Sequence, residues 1–122
     1  MSNAAVVTQG DVFSLRFPLL DQNGAPATYV GTPVAKFDLA KYAIFRPGDT
    51  PALAKSSPSS GCRTVQETIN ALSTWVAYVD FVQADTLNNA NVSAGRHFYE
   101  LKANNNTVAT GMLTIMATLI TS

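Results

Sequence analysis

The chain has 122 residues, which is enough for one domain with a core of moderate size and too few for two. Eight basic and eight acidic residues give a formal net charge of zero and neither sign forms a run, so the basic footprint of a nucleic-acid-binding protein is absent. Charged residues make up 13% of the chain, about half the usual share, which predicts the polar, uncharged surface of proteins built into larger assemblies and of some secreted domains.

The amino terminus shows neither a signal peptide nor a membrane anchor. Residues 1–9 lack a basic segment followed by an apolar run, and no apolar run in the chain approaches the length of a membrane span. We therefore expect synthesis in a cytoplasm and no membrane partner. Residues 1–9 are interpreted as an N-terminal arm, and residues 10–122 as a single domain.

The first predicted strand follows Gly10-Asp11 and alternates strictly. One face carries four large apolar residues: Phe13, Leu15, Phe17 and Leu19. Pro18 cannot donate to a strand ladder, which places it at an edge, a bulge or the last paired position. Residues 21–24, Asp-Gln-Asn-Gly, predict a tight turn with positive φ at Asn23 and Gly24, and residues 25–31 an extended connection in which Tyr29 or Val30 covers the end of the core.

A second strand is predicted from Val34 to Lys41. Phe37 and Leu39 share one face, but Tyr42, Ile44 and Phe45 no longer fit it, which indicates a bulge or bend near residues 40–43. Residues 46–61 are rich in Pro, Gly and Ser around a weak Ala-Leu-Ala-Lys segment. We predict that they form the longest exposed loop.

The next stretch, residues 62–72, is ambiguous. Val65, Ile69 and Leu72 have helical spacing, but the threonines around them are poor helix formers, so we favour a short strand at 62–67 and a turn near Asn70, with a single helical turn as the alternative. Residues 74–82 are apolar on one face and mixed on the other, which is typical of a strand in the middle of a sheet.

The C-terminal residues 94–121 predict a β-hairpin. Its arms are 97–102 and 107–121, and its tip is Asn104-Asn105-Asn106, residues that tolerate positive φ. In the second arm one face carries Leu113, Ile115, Ala117 and Leu119. With about seven strands and no long helix, the sequence predicts an all-β fold, an antiparallel immunoglobulin-like β-sandwich.

No constellation of reactive residues is visible. The single Cys62 cannot form an internal disulfide and is expected to be a small buried hydrophobe. His97 is the only histidine, so a metal site lacks partners. A Ser-His-Asp triad is formally possible with His97, but nothing resembles a nucleophile elbow, and we expect a structural role. Asp80 and Glu100 could pair across neighbouring strands as glycosidase acids do, although such residues are usually only solvated. We expect no catalytic, cofactor-binding or metal-binding residues, no cofactor and no enzyme activity.

The aromatic residues leave an alternative open, because sugar-binding modules display aromatic side chains on a flat strand face. Trp75 is expected in the core. Tyr42, Tyr78 and Tyr99 could form an exposed strip, which would indicate a carbohydrate-binding module, or could cap the core with their hydroxyl groups. The sequence does not decide between these two interpretations.

Several motifs along the chain resemble those of a known family. They are Gly10-Asp11-Val12-Phe13, Asp21-Gln22-Asn23-Gly24-Ala25-Pro26, Tyr29-Val30-Gly31, Thr86-Leu87, Ala94-Gly95-Arg96-His97-Phe98-Tyr99-Glu100-Leu101 and Thr110-Gly111-Met112-Leu113-Thr114-Ile115. Over residues 10–121 this order resembles the immunoglobulin-like domain of tailed-phage baseplate upper proteins and of small prophage virion proteins. Val12, Tyr29-Val30 and His97 stand where that family usually has Thr, Asp-Leu and Tyr.

The resemblance implies a structural component of a bacteriophage virion, made in the host cytoplasm. Such domains are adaptors that dock on tail, baseplate, portal or capsid proteins and catalyse no reaction. We expect a homo-oligomer in the particle, with the sheet edges, the 46–61 loop and the N-terminal arm as contacts. A capsid decoration (cement) protein is the alternative of the same class. The chain ends with the sandwich, which favours a small stand-alone component over a receptor-binding protein.

Overall fold

The structure is a computed structural model that describes residues 2–44, 46, 48–87 and 89–118, with the side chains described from residue 5 onward. Within these residues the chain forms eight strands and one short helix. In chain order they are β1 (Ser2–Thr8), β2 (Phe13–Pro18), β3 (Ala35–Leu39), β4 (Leu53–Ser56), β5 (Cys62–Ile69), β6 (Leu72–Phe81), α1 (Gln83–Thr86), β7 (Gly95–Ala103) and β8 (Asn106–Met116).

The strands form two sheets packed face to face. The five-stranded sheet has the order β1-β8-β7-β3-β4, and the three-stranded sheet has the order β2-β6-β5. Neighbouring strands are antiparallel except for β1, which runs parallel to β8 with Val6 opposite Thr114. The predicted all-β sandwich is confirmed, with one strand more than the sequence indicates.

The core lies between the inner faces of the two sheets. Phe37 and Tyr99, from neighbouring strands of the larger sheet, stack with ring centroids 5.5 Å apart, and Phe37 meets Phe81 of the smaller sheet edge to face at 5.9 Å. All three side chains are almost fully buried. Burial of such a side chain stabilises a fold by about 1.5–3 kcal/mol, so the alternating residues of each strand hold the layers together.

Several predictions made from the sequence are confirmed. Pro18 is the last paired residue of β2, and β6 lies in the middle of the smaller sheet. At the tip of the C-terminal hairpin Asn104 and Asn105 adopt φ values of 48° and 67°, the left-handed conformation of a two-residue turn. The predicted third tip residue, Asn106, is the first residue of β8.

Other predictions are corrected by strand pairing. The N-terminal arm contains β1, and the supposed loop 46–61 contains β4, which pairs with β3. Both are edge strands that lack an alternating sequence pattern, so only their pairing with a neighbouring strand identifies them. The strand predicted at 62–67 continues to Ile69, because a tight turn at residues 70–71 joins it to β6.

Smaller findings concern single residues. Of the two residues expected to cover the end of the core, Tyr29 packs against it and Val30 is fully exposed. In the turn at 21–24 only Gly24 has positive φ. Ala117 is exposed instead of buried, and Phe45 and Leu119 lie outside the described residues.

Candidate docking surface

His97 is a buried structural residue at the start of β7. Its Nδ1 lies 2.8 Å from the carbonyl oxygen of Ala40, and its Nε2 lies 2.7 Å from that of Ser93. The ring therefore ties the end of β3 to the segment before β7. Only 1% of the residue is exposed, so it offers no surface to a substrate.

The two acids considered as a catalytic pair lie on opposite sides of the sandwich. Asp80 is on the outer face of β6 in the smaller sheet, whereas Glu100 is on the outer face of β7 in the larger sheet, opposite Asp38. The core separates them. The possible glycosidase-like arrangement is therefore wrong.

The tyrosines of the possible sugar-binding strip are also separated. Tyr99 is in the core, Tyr78 is on the outer face of β6, and Tyr42 is 67% exposed after the end of β3. Trp75 packs against the core as expected. Because no two of these tyrosines share a sheet face, the strip that would support a carbohydrate-binding module does not form.

Cys62 is buried, and burial raises the pKa of its thiol to about 11. A thiol with this pKa stays protonated near neutral pH and is a poor nucleophile. In the described part of the chain, no group of three or more His, Cys, Asp and Glu side chains is placed to hold a metal ion.

The outer face of the three-stranded sheet is covered by paired charges. Arg16 Nη2 of β2 lies 2.7 Å from Glu67 Oε1 of β5. In the register of the sheet Arg16 is opposite Tyr78 and Glu67 is opposite Thr74, so the ion pair crosses β6 above Val76. This explains why Val76 is fully buried although it points away from the core.

Tyr78 joins this ion pair to a second one. Its hydroxyl donates to Glu67, and the Arg63 guanidinium lies over its ring, 4.3 Å from the centroid. Arg63 Nε in turn donates to Asp80 at 3.0 Å. Each charged side chain on this face is thus paired with another, so few of its polar groups are left to bind a partner.

These contacts change the acidity of both carboxylates. The hydrogen bond from Tyr78, followed by that from Arg16, lowers the pKa of Glu67. Burial acts to raise the pKa of Asp80, but hydrogen bonds from Arg63 and Ser14 outweigh it and lower the pKa. The network is therefore most stable with both carboxylates ionised.

The outer face of the five-stranded sheet differs, because one end of it is largely apolar, with Arg96 and Thr114 lying among the apolar side chains. Phe98 and Met112 are half-buried cross-strand neighbours there, while Val6 and Met116 are 69% and 52% exposed. The other end carries charges in like pairs, with Asp38 opposite Glu100 and Lys36 opposite Lys102. Apolar side chains on an outer sheet face are typical of a contact surface.

The segment after β3 extends this apolar end. The Phe98 amide donates to the carbonyl oxygen of Tyr42 at 3.0 Å, which places the Tyr42 backbone beside β7. Ile44, two residues further on, is 73% exposed. We define the docking patch as these exposed or half-buried apolar residues of the sheet and the adjoining segment: Val6, Tyr42, Ile44, Phe98, Met112 and Met116.

The structure contains two concave regions, one of which adjoins the patch. This one, of about 580 Å³, is lined by residues 40–44, 46, 49 and 50, which include Tyr42 and Ile44. The other, of about 700 Å³, is an apolar cleft between β2 and the edge formed by β1 and β8, where the smaller sheet does not cover the larger one. Leu15, Phe17 and Val108 contribute to its walls.

No protein-family model and no curated protein matches the chain. Among the described helices none has the length and apolarity needed to cross a membrane.

Proposed function

We propose that the chain is a non-enzymatic structural component of a tailed-bacteriophage virion, an immunoglobulin-like adaptor that docks on tail, baseplate or head–tail proteins. The observation that carries the proposal is the exposed docking patch on a sandwich whose acids and tyrosines are dispersed. Contact between proteins needs such a surface, whereas catalysis needs reactive groups that converge.

The strand order supports the immunoglobulin-like part of the proposal. In immunoglobulin domains the C, F and G strands face a sheet that contains B, E and D, and variable-type domains add a further strand beside C. Here β3, β7 and β8 face β2, β6 and β5, and β4 is added beside β3. In chain order, the strands that correspond to B, C, D, E, F and G are β2, β3, β5, β6, β7 and β8.

Two of the motifs that resemble phage virion domains lie at turns that need them. Gly10 has a φ of 84°, and the Asp11 carboxylate accepts the Thr8 amide at 3.1 Å, where the chain passes from one sheet to the other. The Asp21 carboxylate accepts the amides of Asn23 and Ala25, which closes the next turn. The residues of these two motifs therefore have defined conformational roles.

The proposal is tested on particles from the bacterium that carries the gene. The particles are purified on a density gradient, and the chain is quantified by mass spectrometry against the portal and major capsid proteins. A ratio close to that of the portal or tail proteins supports an adaptor. A ratio close to that of the capsid protein indicates a decoration protein instead, and absence from the particles contradicts both roles.

A pair of variants tests the docking patch itself. The double variant Tyr42→Ala/Ile44→Ser removes two exposed apolar side chains and is expected to be lost from particles while remaining folded. Val30→Ser is the matched control, because Val30 is also exposed but lies in the connection between β2 and β3, outside the docking patch. Equal incorporation of both variants would place the contact elsewhere.

A further inference from the structure

Strand β1 is an edge strand, and the direction of its backbone groups follows from a few hydrogen bonds. The Gln9 amide donates to Met116 at 2.9 Å, towards β8. Because amides alternate along a strand, those of Ala5 and Val7 also point to β8, whereas those of Ala4 and Val6 point away. Neither of the latter two has a hydrogen-bond partner among the described residues.

The outward edge ends at a defined residue. The Thr8 amide, which also points away from β8, donates to the Asp11 carboxylate at 3.1 Å, and the Thr8 carbonyl oxygen accepts the Asp11 amide at 3.1 Å. Asp11 therefore provides hydrogen-bond partners for both outward-pointing backbone groups of Thr8. The stretch before it remains open for pairing with another strand.

The other three edges carry features that oppose pairing, and β1 carries none. Strand β4 has only four residues, β2 contains Arg16 and ends at Pro18, and β5 carries Arg63 and Glu67. Short strands, charges and proline are the devices by which proteins protect sheet edges. The seven residues of β1 contain no charge and no proline.

We propose that β1 pairs antiparallel with β1 of a second copy of this chain, around a two-fold axis beside Ala5. Ala4 of one copy and Val6 of the other then exchange both backbone hydrogen bonds, and the symmetry repeats the exchange. The two five-stranded sheets become one continuous sheet. The inference depends on the backbone of β1 alone, so it stands or falls independently of the virion role.

Two further features suit a second copy at this edge. The net charge of zero gives little long-range repulsion between copies. The apolar cleft between β2 and β8 opens at the same edge, and Ala5 forms part of its wall. A second β1 beside the first continues the wall of this cleft.

The test compares the mass of the wild type with that of Val6→Pro by sedimentation equilibrium. Proline at this position removes an amide that points away from β8, so it should block pairing between copies while leaving β1 in place. We expect twice the chain mass of 13.0 kDa for the wild type and the single mass for the variant. Val6→Ala, which keeps the amide, should remain a dimer.

If proline displaces β1 from the sheet, the mass of Val6→Pro does not test the pairing, so we also measure amide hydrogen exchange at single residues of the wild type. In the wild type, the amides of Ala4 and Val6 should exchange more slowly as protein concentration rises, while the amide of Val30 should not change. A monomeric wild type overturns the proposal. So does an oligomer whose mass is unaffected by Val6→Pro, or exchange at Val6 that is independent of concentration.

Discussion

Lys55 and Asp85 form an ion pair with Nζ and Oδ2 2.9 Å apart, in which the two side chains expose only 10% and 14% of their surface. Lys55 Nζ also lies 5.4 Å from the centroid of the Phe81 ring, and the Asp85 carboxylate accepts the Val82 amide. The pair connects β4 of the larger sheet to α1, which follows β6 of the smaller sheet. It therefore links the two layers.

Asp85→Ala should destabilise the fold strongly, because it leaves a nearly buried ammonium group without its partner. Breaking a buried ion pair costs about 3–5 kcal/mol, and we expect a decrease of this size in the free energy of unfolding measured in urea. Arg16→Ala is the control, since it breaks a half-exposed pair, and such pairs contribute about 0–1 kcal/mol. Similar losses in both variants would contradict this ranking.

Gly61→Ala should be more costly than Gly24→Ala. Both glycines have positive φ, 95° and 81°, which costs an alanine about 1–2 kcal/mol. At Gly61 a Cβ would also lie 2.8 Å from the side chain of Lys55, whereas at Gly24 it would meet open space. Displacing the tightly held Lys55 should add about 1–3 kcal/mol, measurable by urea unfolding. Equal costs would show that Lys55 can move freely.

Acid should weaken the network on the three-stranded sheet. The pKa of Glu67 is lowered in the fold by hydrogen bonds from Tyr78 and Arg16. A folded pKa below the unfolded one gives stability that is fully present above the ordinary value of 4.5 and is lost as the pH falls through the folded pKa. The urea midpoint of Glu67→Gln should therefore fall less steeply below that pH than the wild-type midpoint. If the urea midpoints of both proteins fell in parallel with pH, the lowered pKa of Glu67 would be contradicted.

Asp38 should have the opposite effect. Burial, followed by repulsion from Glu100, raises its pKa in the fold. Because the folded state then binds the proton more tightly, this carboxyl favours folding as the pH falls through its folded pKa and opposes it at neutral pH. Asp38→Asn should raise the urea midpoint at pH 7 and leave a smaller gain in mildly acidic solution. A lower midpoint at pH 7 would show that attraction to Lys36 and Lys102 dominates.

The thiol of Cys62 should not react with a disulfide reagent such as Ellman's reagent while the chain is folded. Burial and the pKa of about 11 both act against attack by the thiolate. One thiol per chain should become reactive across the same urea concentrations at which circular dichroism reports unfolding. Rapid reaction of the native protein would contradict the buried position.

The strands with two distinct faces could be predicted from the sequence. In β2 and in the C-terminal hairpin, residues such as Phe17 and Leu113 alternate with polar ones because one face is buried and the other is not. The same reasoning missed β1 and β4. Their residues are too uniform or too few to show a period. The pairing of β1 depends on β8, which lies far away in the chain, and that of β4 depends on β3.

The candidate surface was less accessible to sequence reasoning. Asp80 and Glu100 look equivalent as acids on alternating strands, and only the assignment of β6 and β7 to different sheets shows that they never meet. The docking patch was missed for the same reason. Val6 and Tyr42 are distant in sequence and are brought to one end of the larger sheet by pairing with β8 and β7.

By itself the sequence determined that this protein is made of strands, where most of them turn, and which faces of the alternating ones are buried. These features depend on neighbouring residues and on the period of two in a strand. Outside the C-terminal hairpin, only the tertiary structure shows which strands lie side by side, and hence the dispersed acids, the apolar end of the larger sheet and the open edge of β1. Pairings such as β1 with β8 and β2 with β6 join backbone groups that are far apart in the chain, so no local pattern encodes them.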